Sequence, residues 1–470
     1  MHTSKRSRRA GAPEASRLTG RSVTGLLAYS LLTILATVTV GALSGCASHK
    51  ILTLMPTPVL YRDSGIDPFV HLAPEHQTTT TRVFYATNRK PVSTSGDTRY
   101  SNDLDKILHL GTANVRIGDP STDWETLTRH SLAGEAVTAV PLRLETTSEL
   151  AVMAGTPPAK HSLSTGQQAF VNAINEELAV AVDKEIMLYV HGTKVDFYNA
   201  AVMTAEIDHF AGRDFVGIAF SWPSHQNILN YVMGTDVHRA LDSSPPLQDL
   251  LALLADHTHA EKINILSYSA GGRVTSRALS DMRRAHAGLD AKELRNKFRL
   301  GSVVFAAADV SVDVFLDRLL PVSDIAGQVV VTISDNDSAL RTARLVMGGT
   351  FRAGTEEAEV MEETFIVDHH LSNVELVDVS FGQTVRGFDI AGHHYWYRHP
   401  WMSSDIIFLM RTDLPAGLRG LSAAEAEGLW YLSPDYPEKI RRAAETALRR
   451  PWGLYGPATR PRIHAAPPAP

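Results

Sequence analysis

The feature that most constrains this chain is a regular alternation across residues 186–379. Short, mostly apolar runs of β-forming residues are separated by amphipathic stretches with helical spacing. The apolar runs fall at 186–190, 216–220, 263–266, 303–307, 329–333 and 374–379, and helical patterns at 200–210, 247–256 and 273–287 lie between them. A strand that is apolar on both faces must be covered on both faces. Strands alternating with helices therefore imply βαβ units and a mostly parallel central sheet with helices on either side. Upstream, residues 81–87 and 113–117 read as further strands, 120–165 as turns and short strands, and 167–182 as a helix. Hydrophobic residues make up 44% of the chain and charged residues 20%, which suits a single large core. The net charge of −6 argues against a nucleic-acid partner. There is no phosphate-binding GxxxxGK and no dinucleotide fingerprint, so no cofactor is expected.

Chemistry enters where the runs end. In Ile263-Asn264-Ile265-Leu266-Ser267-Tyr268-Ser269-Ala270-Gly271-Gly272-Arg273, a strand passes through small residues around a serine into a helix. This is the context of a nucleophile elbow, whose sharp turn needs small residues two before and two after the serine. Gly271 meets that need, and Ser267 stands where glycine is usual. Ser269 is the candidate nucleophile. A second run, Met187-Leu188-Tyr189-Val190-His191-Gly192-Thr193, ends where an oxyanion loop would lie. The backbone N–H groups of Ala270 and Thr193 are the candidate oxyanion donors. His191 reads as a buried structural histidine.

Serine needs a base to take its proton and a carboxylate to orient that base. Asp337 follows the run at 329–333, and His393, with His394 beside it as the alternative, follows the last run. Asp309 also ends a run, and reads as the cap of a helix beginning near Val312. Asp368-His369-His370 with His393-His394 lacks compact ligand spacing, so no metal is expected. Residues 225–246 separate two core runs and are positioned to cover a pocket, with Leu229, Tyr231 and Val232 as its apolar surface.

These motifs together resemble bacterial α/β-hydrolases grouped as an esterase/lipase-like domain of unknown function. Those that carry the resemblance are Val83-Phe84-Tyr85-Ala86-Thr87-Asn88-Arg89, Tyr189-Val190-His191-Gly192, Phe220-Ser221-Trp222-Pro223-Ser224, the segment from Ser267 to Gly271, Ser334 with Asp337-Ser338-Ala339-Leu340, and Gly392-His393-His394-Tyr395. They span roughly 81–437. The resemblance implies an α/β-hydrolase fold and a Ser269–Asp337–His393 triad acting on a small-molecule or lipid ester through an acyl-enzyme. It implies no particular substrate. The rival readings are a non-catalytic envelope lipoprotein that uses the fold for binding or scaffolding, and a metal-dependent hydrolase.

The N-terminus reads as an address. Lys5, Arg6, Arg8, Arg9, Arg17 and Arg21 precede an uncharged stretch at 23–43, which ends Leu43-Ser44-Gly45-Cys46. A basic region, an apolar region and small residues before a cut describe a secretory signal. The ending resembles the bacterial lipobox, and Cys46 is the single cysteine of the chain. The alternative is an uncleaved membrane anchor. The expected organisation is a signal peptide at 1–45, a partly packed tether at 46–80, the hydrolase domain at 81–440 and a disordered tail at 441–470. The expected location is the bacterial cell envelope, with attachment to a membrane through lipid on Cys46.

Overall fold

The computed structural model describes residues 51–448, apart from 63, 93–97, 133–138, 156–162, 228–233, 335–355, 381–394 and 426–427. The chain divides into Met1–Lys50 and Ile51–Pro470, and every described element belongs to the second unit. Its strands are β1 (Thr80–Pro91), β2 (Tyr100–Ile117), β3 (Leu142–Met153), β4 (Glu185–Val190), β5 (Val216–Ser221), β6 (Lys262–Tyr268), β7 (Leu300–Ala306), β8 (Gln328–Ile333), β9 (Val374–Asp378), β10 (Ser422–Ala423) and β11 (Leu429–Tyr431). They form one sheet in the order β10-β11-β9-β8-β7-β6-β4-β5-β1-β2-β3.

All six apolar runs are strands, β4 to β9, and neighbours among them pair in parallel. Both faces are buried, as their composition requires. Ile186, Leu188 and Val190 point into one core cluster, and Met187 and Tyr189 into the other. The helices that cover the sheet include α1 (Trp124–Leu132), α2 (Thr165–Val180), α3 (Phe197–Phe210), α4 (Thr235–Asp242), α5 (Ser244–His257), α6 (Gly271–Ala285), α7 (Ala291–Phe298) and α8 (Val312–Ile325). Beyond them lie α9 (Glu356–Asp368), α10 (Tyr395–Arg398), α11 (Pro400–Thr412) and α12 (Tyr436–Ala447). β4 pairs with β5 on one side and β6 on the other. The chain thus reverses direction across the sheet at β4, which opens a crevice at the carboxyl ends of β4 and β6, where ligands bind in such sheets.

The N-terminal third corrects several expectations. Residues 113–117 are only the end of the 18-residue β2, and 120–165 holds helix α1 and the 12-residue β3 in place of short strands. β1, β2 and β3 pair antiparallel in turn, and β3 alternates buried and exposed positions with register shifts at Leu110/Gly111 and Asn114/Val115. A one-sided, bulged strand carries many polar residues and so lacks the continuous apolar signature of β4 to β9.

The segment expected as a tether is mostly a packed strap. Met55, Val59, Leu60, Tyr61, Ile66, Phe69 and Leu72 are buried. The Leu54 N–H donates to the Val140 carbonyl, and the Leu142 N–H to the Leu52 carbonyl, each at 2.8 Å. The Met55 N–H donates to Glu206, and the Tyr61 hydroxyl to the Phe210 carbonyl. The expected tail also begins later than residue 441, because α12 runs to Ala447 with Ile440 and Ala444 buried. Residues 1–50, including Cys46, and residues 449–470 lie outside the described residues.

Candidate active site

Ser269 follows β6 directly and has φ +52°, in the left-handed region. That conformation costs a non-glycine residue about 1–2 kcal/mol and persists only where surrounding contacts impose it. Here they do. The Ser269 N–H donates to the Ala306 carbonyl at 2.9 Å, and its carbonyl accepts from Gly272 N–H at 2.9 Å and Asp309 N–H at 3.1 Å. The turn has no room for larger neighbours. A Cβ on Gly271 would lie 2.5 Å from the Val190 carbonyl oxygen, and one on Gly192 would lie 2.9 Å from the Ser269 Cβ. Ser267, in the usual glycine position, is accommodated fully buried. Its hydroxyl finds no hydrogen-bond partner among the described residues.

Ala270 sits at the N-cap of α6, with Gly271 and Gly272 as the first helical residues. Backbone N–H groups at a helix start have no intrahelical carbonyl to pair with, and they form a ready anion cradle. Thr193 lies in the short loop between β4 and α3, the same loop in which Gly192 abuts Ser269. That loop is held from behind. Trp222 Nε1 donates to the His191 carbonyl at 2.6 Å, and the two rings stack at 5.3 Å with their planes 10° apart. Arg89 Nη2 donates to the Val195 carbonyl at 2.8 Å, as does the Ser224 hydroxyl at 2.8 Å. His191 is wholly buried, with Nδ1 2.7 Å from the Gly192 carbonyl oxygen and Nε2 3.4 Å from Arg89 Nη2. Burial, with Arg89 adding to it, lowers its pKa to about 3, so the ring is neutral at physiological pH and serves the loop's structure.

Asp309 departs from the sequence reading. The N-cap of α8 is Ser311, and no side-chain hydrogen bond caps that helix. Its buried carboxylate lies 3.2 Å from Arg273 Nη2 and 3.3 Å from Arg273 Nε, on the helix that carries the elbow. Asp309 thus braces the nucleophile turn twice, through its backbone and through Arg273.

Asp337, His393 and His394 lie outside the described residues, as do Leu229, Tyr231 and Val232. Their flanks are described. Ile333 and Ser334, at the end of β8, are buried. Tyr395, two residues after His393, is pinned to the sheet. Its hydroxyl lies 2.5 Å from Thr332 Oγ1 and accepts from the Ala307 N–H at 3.0 Å. Trp396 packs its ring against Tyr189 and Tyr268 at centroid distances of 5.8 and 5.6 Å. Ser334 and Tyr395 thus both stand at the carboxyl edge of the sheet on which Ser269 stands.

Three residues that shape the site escaped the sequence reading. Arg89 stood in a motif with no role assigned, Tyr395 was read only as a neighbour of the histidines, and Asp236 gave no signal. Among the described residues no three His, Cys, Asp or Glu side chains gather as metal ligands.

A mostly parallel sheet flanked by helices, a strained serine at the carboxyl end of a central strand and a glycine loop against it define the α/β-hydrolase class. A family model described as alpha/beta hydrolase of unknown function (DUF900) matches residues 166–408, just over half of the chain, and the chain belongs to that family. No curated protein and no solved structure matches it.

Proposed function

We propose that this protein is a serine hydrolase of the carboxylesterase/lipase type. The observation that carries the reading is Ser269 itself, held at φ +52° on the edge of β6 with Gly192 and Gly271 packed around it. Glycine would take that backbone conformation without steric strain, so a serine held there supports a role for its hydroxyl. In the proposed reaction His393, oriented by Asp337, takes the proton of Ser269 as its oxygen attacks the ester carbonyl. The N–H groups of Ala270 and Thr193 stabilise the resulting oxyanion. Collapse expels the alcohol, which takes its proton from His393, and water then releases the acid from the acyl-enzyme by the reverse sequence. The anchoring of Tyr395 at the ends of β7 and β8 supports His393 as the base, and the position of Ser334 at the end of β8 supports Asp337 as the acid. We propose further that Cys46 becomes the lipidated first residue and that the domain works at the membrane surface of the cell envelope. No helix among the described residues is long and apolar enough to cross a membrane.

The test is hydrolysis of p-nitrophenyl esters of graded acyl length by the purified protein and by Ser269→Ala. Turnover by the wild type and none by the variant is the expected result. Equal rates from both, or no turnover of any chain length, would remove the esterase reading.

A further inference from the structure

We infer that Asp236 is a positioning residue for the oxyanion loop, through which that loop is fastened to the segment following β5. The inference rests on the serine-hydrolase reading. Asp236 is fully buried, in the first turn of α4. A buried carboxylate costs several kcal/mol unless it is fully hydrogen-bonded, so its partners show what it is for. Oδ2 accepts from Thr193 Oγ1 at 2.9 Å. The His225 N–H donates to both oxygens at 3.2 Å, and His225 Nδ1 lies 2.5 Å from Oδ1. Its own helix does not use it: the N-cap of α4 is Gly234, with no side-chain cap. The carboxylate therefore serves two loops, one bearing the proposed oxyanion donor and one leaving β5.

The Thr193 loop shows why such a tie matters. It runs only from His191, at the end of β4, to Asp196, which caps α3 through the Asn199 N–H at 2.8 Å. Its two ends are fixed: the His191 carbonyl by Trp222, and the Val195 carbonyl by Arg89 and Ser224. Between them Lys194 holds φ +59°, a conformation that relaxes unless opposed. The side chain of Thr193 is the middle fastening, and Asp236 receives it. Loss of the carboxylate leaves both ends of the loop in place and frees the residue proposed to donate its N–H to the developing charge. An oxyanion donor acts in the transition state more than in substrate binding, so kcat falls and KM does not.

The experiment is a double-mutant cycle on the full chain with Asp236→Leu, which has no polar atom for Thr193, Thr193→Val and the pair, read by kcat, KM, melting temperature and fluorophosphonate labelling of Ser269. Thr193→Val keeps the backbone N–H and the side-chain shape and removes only the hydroxyl. Each single variant is expected to lose roughly 10–100-fold in kcat, part of the ~10²–10³ that a missing oxyanion donor costs. KM should stay within about twofold, and the pair should be no worse than Asp236→Leu alone, because both changes cut one link. Ser269 remains labelled in all of them. If Asp236→Leu does not fold, the kcat of Thr193→Val decides the matter alone. Single variants with wild-type kcat, or losses that simply add, overturn the inference while leaving the enzyme standing. A folded wild type that neither labels at Ser269 nor turns over ester overturns the hydrolase reading instead.

Discussion

Replacing Gly271 by alanine sets two calculable effects against each other. Gly271 opens helix α6, where alanine is intrinsically better than glycine by about 1 kcal/mol. Propensity alone therefore predicts a more stable protein. The added Cβ, however, would stand 2.5 Å from the Val190 carbonyl oxygen and 2.7 Å from that of His191. Carbon and oxygen settle at about 3.3 Å or more, so the helix start and the end of β4 must part by roughly 0.6–0.8 Å. Both obstacles are backbone atoms, and neither can swing aside as a side chain would. Overpacking of this kind costs about 1–3 kcal/mol, and sometimes more, which outweighs the helical gain. The expected net result is a loss of up to about 2 kcal/mol. The displacement also falls between the nucleophile and the oxyanion loop, where a misplacement of about 1 Å lowers turnover by around 10²-fold. Chemical denaturation and ester turnover measure the two effects. Gly288→Ala is the control, since no atom lies within 4 Å of a Cβ there. A Gly271→Ala protein as stable and as active as the wild type would refute the packing of the elbow against β4.

Further predictions concern protons, charges and the anchor. Burial raises the pKa of Glu206 from its usual 4.5 to about 8, so the folded protein holds a proton that the unfolded chain has released between those values. The stability this proton supplies is complete below about pH 4.5 and is lost as pH rises through 8, with a slope of up to about 1.4 kcal/mol per pH unit. Asp208, raised to about 8 by burial, adds to the same trend. Glu206→Gln should therefore flatten the fall in urea midpoint between pH 5 and pH 9, and an unchanged profile would remove the argument. Asp309→Asn should cost about 1–3 kcal/mol by removing the buried carboxylate charge beside Arg273, with a modest loss of kcat. Asp337→Asn should keep its stability and lose on the order of 10⁴ in kcat by favouring the wrong tautomer of His393; the opposite pattern in the two variants would make Asp309 the acid. Cys46→Ala should shift the protein from the membrane to the soluble fraction of envelope preparations, and unchanged sedimentation would rule out lipid on Cys46.

Much of the fold was legible because buried parallel strands announce themselves. β4 to β9 are apolar on both faces, and each was readable within a residue or two except β7, which begins three residues early. The strand-to-helix passage around Ser269 was readable for the same reason, since an apolar run meets small residues at a sharp turn. Strands β2 and β3 were obscured by one-sided burial and bulges. The strap from Met55 to Leu72 looked like a linker because prolines and polar residues interrupt its apolar side chains, whose partners, such as Glu206 and Phe210, lie far along the chain. Asp309 illustrates a subtler limit. A carboxylate three residues before a helix looks like a cap, and only the fold brings Arg273, 36 residues earlier, beside it. Asp236 had no readable signal, because its partners Thr193 and His225 belong to two separate loops.

The central claim is that Ser269 is an activated nucleophile. The most direct test is to treat the purified protein with a fluorophosphonate, digest it and map the modified residue by mass spectrometry. The account predicts one stoichiometric adduct, on Ser269, in folded protein, and none after denaturation or in Ser269→Ala. Folded protein that stays unmodified, or an adduct on another serine, would contradict it.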